Sequence, residues 1–266
     1  MAPAPKGSAD LIYVRASGYM RGRASIICMV VVVGAPLCLS SATTLHFQLG
    51  QRPQTFRGTI SRTANTKYLL FLPQDYGRRE KRWPLILYLH GGSRRGDDIE
   101  MVTAFSLPQV VEKDPSFPFI VVSPQRPQGE IWTDTDTLIN FLDEVMNKYA
   151  VDRERIYLTG HSMGGRGVWY LAYTSPERFA AIAPMAGPAT ISSWANRLKD
   201  MPIWVIHGAE DVDVPLSESE QMVNALNAVG ANVKFTIYPD RDHFILDTYE
   251  NKDLYNWFLQ HKRVTK

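Results

Sequence analysis

The feature that most constrains this chain is a regular alternation of short, wholly apolar runs with longer amphipathic stretches. Leu85–Leu89 (LILYL), Phe119–Ser123 (FIVVS), Arg155–Thr159 (RIYLT), Ala180–Met185, Ile203–Ile206 (IWVI) and Val233–Tyr238 (VKFTIY) read as strands. Several lack polar alternation, as a strand buried on both faces must. Between them, Thr135–Tyr149 carries Leu138, Ile139, Leu142, Val145 and Met146 on one helical face, with Asp134 or Thr135 placed to cap it. Glu218–Val229 and Asp247–Gln260 look similar. Strands alternating with helices predict an α/β protein: a mostly parallel, twisted sheet with helices on both faces and right-handed crossovers. Ahead of it, Thr55–Arg62 and Lys67–Leu72 are close enough in sequence to form a hairpin.

The first 42 residues follow different rules. Residues 1–19 are polar and patternless, but from Met20 two arginines precede an apolar stretch, Ile26–Val33 running on to Leu39, and then small residues. That order is the anatomy of a secretory signal peptide cut near Ala42/Thr43, with translation starting at Met20. The apolar stretch is short against the roughly 20 residues that a membrane span needs. The expectation is a secreted or periplasmic protein with no stable membrane insertion after cleavage; an uncleaved N-terminal anchor is the alternative. Both cysteines of the chain, Cys28 and Cys38, lie in this leader, so residues 43–266 offer neither a disulfide nor a thiol nucleophile. The leader also carries a net +3 of a chain whose total is +2, which leaves about −1 on the rest. Such a balance gives no support to nucleic-acid binding. With no linker dividing residues 50–262, residues 43–266 read as one domain.

Ligand crevices in parallel sheets lie beyond the carboxyl ends of the strands, and three strand ends here carry unusual loops. RIYLT runs directly into Gly160-His161-Ser162-Met163-Gly164 and then into a helix-like run. A tight strand-to-helix turn would lift the Ser162 hydroxyl above the sheet and put the Met163 amide at a helix N-terminus, where it can hold an oxyanion. LILYL runs into His90-Gly91-Gly92, an unhindered backbone from which Gly92 can supply a second amide donor, with His90 as a buried brace. IWVI runs into His207-Gly208-Ala209-Glu210-Asp211-Val212-Asp213. A serine hydroxyl needs a neutral imidazole to take its proton and an acid to orient that imidazole. Asp211 and Asp213 compete for the acid, with Glu210 behind them; His243, just beyond VKFTIY, is the base, while His261 sits in a charged tail.

Four motifs, LHGGSRRGDD, GHSMGG, HGAEDVDVP and PDRDHF, together resemble an α/β-hydrolase over the chain from about Lys67 onward. The likeness is to the small single-domain carboxylesterases: dienelactone-hydrolase-like and polyhydroxybutyrate-depolymerase- or feruloyl-esterase-like branches, often described as predicted peptidases or phospholipase/carboxylesterases. The resemblance implies a Ser-His-Asp triad whose acid stands three residues after the Gly of the His-Gly pair, which is Asp211. Dienelactone hydrolases proper use a cysteine, so Ser162 points away from that activity.

The expected function is therefore a serine carboxylesterase working through an acyl-enzyme: Ser162 attacks, His243 shuttles the proton, Asp211 orients it, and the Gly92 and Met163 amides hold the oxyanion. A small serine peptidase or amidase is the enzymatic alternative, and a binding protein on a hydrolase scaffold the non-enzymatic one. The interval 186–202 is too short for a lid domain, which favours small-molecule or polymer-linked esters. Trp132, in the polar loop 123–134, is a packing anchor or a candidate substrate contact, and Arg94, Arg95, Asp97 and Asp98 read as a solvated mixed-charge loop that an ion pair can tie to the oxyanion segment. No HExxH, P-loop or GxGxxG occurs, so no metal or nucleotide cofactor is expected.

Overall fold

A computed structural model describes residues 63–78, 80–188 and 191–263. Backbone contacts divide the chain into Met1–Ser61 and Arg62–Lys266, and all described residues belong to the second unit. The leader and the strand expected at Thr55–Arg62 lie outside them.

Seven strands form one sheet in the order β1-β3-β2-β4-β5-β6-β7. They are β1 (Tyr68–Phe71), β2 (Trp83–Leu89), β3 (Ile120–Pro124), β4 (Val151–His161), β5 (Ala181–Met185), β6 (Ile203–Gly208) and β7 (Val233–Tyr238). Only β1 runs antiparallel to its neighbour; every other pairing is parallel. Each apolar run picked out in the sequence is a strand, shifted by a few residues at its ends. The largest extension is in β4, whose first turn of sequence, Asp152-Arg153-Glu154, is polar and hides its strand character from a hydrophobic reading.

The helices are α1 (Leu107–Lys113), α2 (Thr135–Lys148), α3 (Met163–Thr174), α4 (Ala195–Leu198), α5 (Leu216–Ala228) and α6 (Lys252–Leu259). Because strand side chains alternate between faces, β2 serves two cores at once. Leu85, Leu87 and Leu89 pack with residues of α2, α3 and α5, whereas Ile86 and Tyr88 pack with Leu107 and Val111 of α1 and Leu254 and Phe258 of α6. That is the expected covering of both faces. Asp247–Gln260 does not form a single helix: a 3-10 turn, Leu246–Glu250, stops at Asn251, whose side chain accepts from the Asp253 amide and caps α6 afresh. The interval 186–202 holds no helix longer than α4 among its described residues.

Candidate active site

Ser162 is the single residue between β4 and α3. Its backbone sits at φ 58°, ψ −119°, in the region that costs a non-glycine residue about 1–3 kcal/mol. Hydrogen bonds hold it there: its amide donates to Met185 O at 2.9 Å, and its carbonyl accepts from Arg166 N at 3.0 Å. The flanking glycines are demanded by the end of β2. A Cβ on Gly160 would fall 2.6 Å from Leu89 O, and one on Gly164 only 1.8 Å from the same atom. The spacing G-x-S-x-G thus lets β2 pass close beneath a turn that aims the hydroxyl upward.

Asp211 lies in the loop after β6, buried. Its Oδ1 accepts from the amides of Asp213 (2.9 Å) and Val214 (2.8 Å), and its Oδ2 accepts from His243 Nδ1 at 2.7 Å. An ionised carboxylate only accepts, so Nδ1 carries the imidazole proton and Nε2 presents a lone pair. That Nε2 lies 2.8 Å from Ser162 Oγ. Ser162, His243 and Asp211, far apart in sequence, therefore form one hydrogen-bonded line. The side chains of Asp213 and Glu210 are exposed, and Asp213 contributes to the line only through its backbone amide.

Across the cleft, the end of β2 approaches closely enough that a Cβ on Gly91 would stand 3.6 Å from Ser162 Cβ. His90 braces this loop: Nδ1–H donates to Gly91 O at 2.7 Å, while Nε2 accepts from Arg126 N–H at 3.1 Å. Burial pushes the His90 imidazole down to about 4, against the raising effect of the bond to Gly91 and with help from the nearby Arg94, Arg95 and Arg126 charges. Gly92 opens a 3-10 turn whose carbonyl accepts from Arg95 Nε at 2.9 Å. The mixed-charge loop, whose Asp97 and Asp98 are exposed, is thus tied to the turn by Arg95 on a backbone carbonyl. Among the described residues, no acceptor takes the amide N–H of Gly92 or of Met163.

Trp132 takes the packing role of the two that its sequence leaves open. Its side chain is fully buried, its indole N–H donates to His90 O at 2.8 Å, and its Cβ fills the space left by the missing side chain of Gly167 in α3. The polar loop around it conceals this role, because the partner glycine is far along the chain.

Sequence reasoning also missed three residues. His161 donates from Nε2 to His243 O at 2.6 Å, and its ring lies 4.8 Å from that of His243. Burial lowers it to about 4, the bond to His243 opposing. Phe105 and Phe244, 61% and 64% exposed, line the open cleft of about 700 Å³ over Ser162, together with Tyr88, Arg94 and Leu246. Among the described residues no cluster of three or more His, Cys, Asp or Glu side chains could hold a metal ion, and no helix is long and apolar enough to cross a membrane.

A mostly parallel seven-stranded sheet that presents a serine at a strand-to-helix turn defines the α/β-hydrolase fold. Residues 117–252 match the phospholipase/carboxylesterase family model, and the chain belongs to that family. It is 27% identical over 150 residues to the bifunctional acetylxylan esterase/xylanase XynS20E of Neocallimastix patriciarum, covering 52% of this chain and 21% of that protein. It is 25% identical over 225 residues to dipeptidyl-peptidase 5 of Porphyromonas gingivalis, covering 66% and 32% respectively. A crystal structure of a thermostable esterase superposes with a TM-score of 0.63 at 30% identity, over 74% of this chain and 59% of that one. The chain thus spans about a third or less of the length of these two curated relatives.

Proposed function

We propose that this chain is a secreted serine esterase that cleaves carboxylic esters through an acyl-enzyme, with Ser162, His243 and Asp211 as its triad. The observation that carries the reading is the unbroken line Asp211 Oδ2, His243, Ser162 Oγ, at 2.7 and 2.8 Å. In this reading Ser162 Oγ attacks the ester carbonyl carbon as its proton passes to His243 Nε2. Asp211 stabilises the imidazolium that forms, and the carbonyl oxygen, now negative, is held by the Gly92 and Met163 amides. The tetrahedral intermediate collapses by breaking the bond to the alcohol, which leaves with the proton from His243. Water, deprotonated by the same nitrogen, then attacks the acyl-enzyme, and the carboxylic acid departs with Ser162 restored.

An open cleft of about 700 Å³ flanked by two exposed phenylalanines suits small-molecule esters and acyl groups displayed on a polymer. The likeness to a dipeptidyl-peptidase makes amide cleavage the competing reading. The test is Ser162→Ala with p-nitrophenyl acetate and a peptide p-nitroanilide side by side. Esterase turnover that vanishes in a folded variant, and exceeds anilide cleavage in the parent, supports the proposal; turnover that survives the substitution refutes it. A protein that neither turns over nor takes a fluorophosphonate is a binding module. Export rests on the leader, and N-terminal sequencing of the secreted protein should begin near Thr43; a start before about residue 38 removes that part of the reading.

A further inference from the structure

Resting on the triad reading, we propose that His207 is a positioning residue of this active site, setting the charge that Asp211 presents to His243. His207 is wholly buried at the end of β6. Its Nε2 lies 2.9 Å from Val214 O and 3.2 Å from Asp211 Oδ2, the same oxygen that His243 Nδ1 reaches at 2.7 Å from the other side. Both neighbours of Nε2 are acceptors, so that nitrogen carries a proton. Its Nδ1 lies 2.7 Å from Ser219 Oγ on α5, which fixes the ring plane. Asp211 Oδ2 therefore accepts from the His243 imidazole on one side and is flanked at 3.2 Å on the other by the N–H of His207, whose hydrogen bond goes to Val214 O.

The consequence is electrostatic. The N–H of His207 draws off part of the negative charge on Oδ2; removing it leaves a carboxylate that holds the protonated form of His243 more strongly. The other charged or titratable groups facing His243 are His161 at the end of β4 and, on its own loop, Asp242 and the Arg241–Asp247 pair; Asp213 is exposed nearby on the loop of Asp211. None of these lies within hydrogen-bonding distance of Asp211 Oδ2, so the site gives that role to His207.

The test compares kcat/KM against pH in the full-length enzyme and three variants, using p-nitrophenyl acetate. His207→Asn keeps an amide that can reach Ser219 but nothing that reaches Asp211, whereas His207→Gln returns an N–H to the place of Nε2. The expected result is a fall of about 10-fold or more in His207→Asn, mostly in kcat, with the acid limb of the profile moved to higher pH by about half a unit. His207→Gln should recover most of the rate and restore the limb, and Ser219→Ala should move it the same way by less. A limb that stays at its wild-type position in His207→Asn overturns the inference and leaves His207 a packing residue. Should that variant fail to fold, nitrogen NMR of the wild-type protein decides: a proton on His207 Nε2 at pH 7 supports the inference, and a bare Nε2 overturns it. A wild-type protein without esterase turnover or fluorophosphonate labelling takes down the triad reading and this inference with it. An active, Ser162-dependent enzyme with an unmoved limb takes down this inference alone.

Discussion

Two strands of this sheet, β2 and β6, end in the same dipeptide, His-Gly, and both imidazoles are buried. They face different partners. The ring nitrogens of His90 meet only backbone, the Gly91 carbonyl and the Arg126 amide, and its ring packs edge-on against Trp132. His207 lies against the Asp211 carboxylate, which itself accepts from His243. The first histidine can fix where amides point; the second can change how strongly a charge is felt. One dipeptide therefore serves two walls of one cleft in different currencies, geometry on the β2 side and electrostatics on the β6 side, and substitutions on the two walls should fail in distinguishable ways.

The largest difference should come from the charge itself. Asp211→Asn retains the shape of the β6 wall but can fix His243 in the wrong tautomer, and kcat is expected to drop by about 10⁴-fold. Asp213→Asn keeps the backbone amide that Asp211 accepts from and loses only an exposed side chain, so its kcat/KM should stay near wild type. If the two variants were equally impaired, the acid would not be Asp211 alone. On the β2 wall, His90→Asn should lower kcat by roughly 10²-fold, because an amide misplaced by a fraction of an ångström stabilises the oxyanion poorly. Its pH profile should keep the wild-type acid limb, since His90 makes no contact with Asp211 or His243. A limb displaced in His90→Asn would break the contrast between the walls.

Acid should reveal what the buried imidazoles at the ends of β2 and β4 share. Burial holds His90 and His161 at about 4, well below the usual histidine value of 6.5, so the folded protein keeps them neutral while the unfolded chain takes up a proton at each. The unfolded state binds more protons throughout that interval, so stability is present above pH 6.5 and is lost as pH falls from about 6.5 towards 4. The loss amounts to at most about 3 kcal/mol for each residue. Urea unfolding at pH 7 and pH 4.5 measures it. A midpoint that does not change between the two would mean that neither imidazole is held neutral by the fold.

Much of this was readable in the chain before any coordinates. The central strands announced themselves because they are buried on both faces, and Ser162, Asp211 and His243 drew attention because each follows a strand end where a parallel sheet opens its crevice. What stayed hidden depends on meetings between distant segments. His161 occupies a variable position of the serine turn, and nothing local says that it reaches the carbonyl of His243. His207 was read as part of a motif, although its contacts with Val214 and Asp211 form only once the loop after β6 folds back on the strand. Trp132 stays open between two roles for the same reason. A tryptophan in a polar loop looks available to substrate until the gap at Gly167 on α3 is seen to receive it.

The smallest expected effects test whether substrate spans both walls. Phe105 stands on the β2 side and Phe244 on the β6 side, each largely exposed, and large exposed aromatics beside a nucleophile are poor contributors to stability. Phe105 is also strained: it and Ser106 have φ of 60° and 88°, in the left-handed region that favours glycine. A purely structural position under that strain gains from glycine. Relief of about 1 kcal/mol roughly offsets the added freedom of the unfolded chain, so Phe105→Gly should leave the unfolding midpoint nearly unchanged. If the ring is held at that backbone cost because it contacts substrate, the same variant should raise KM several-fold with little change in kcat, as loss of binding common to ground and transition states requires. Phe244→Ala, with an exposed ring, should do likewise. A KM that rises for one variant and not the other would place the substrate along a single wall, and unchanged KM in both would assign the acyl and alcohol groups to the floor of the cleft around Tyr88 and Leu246.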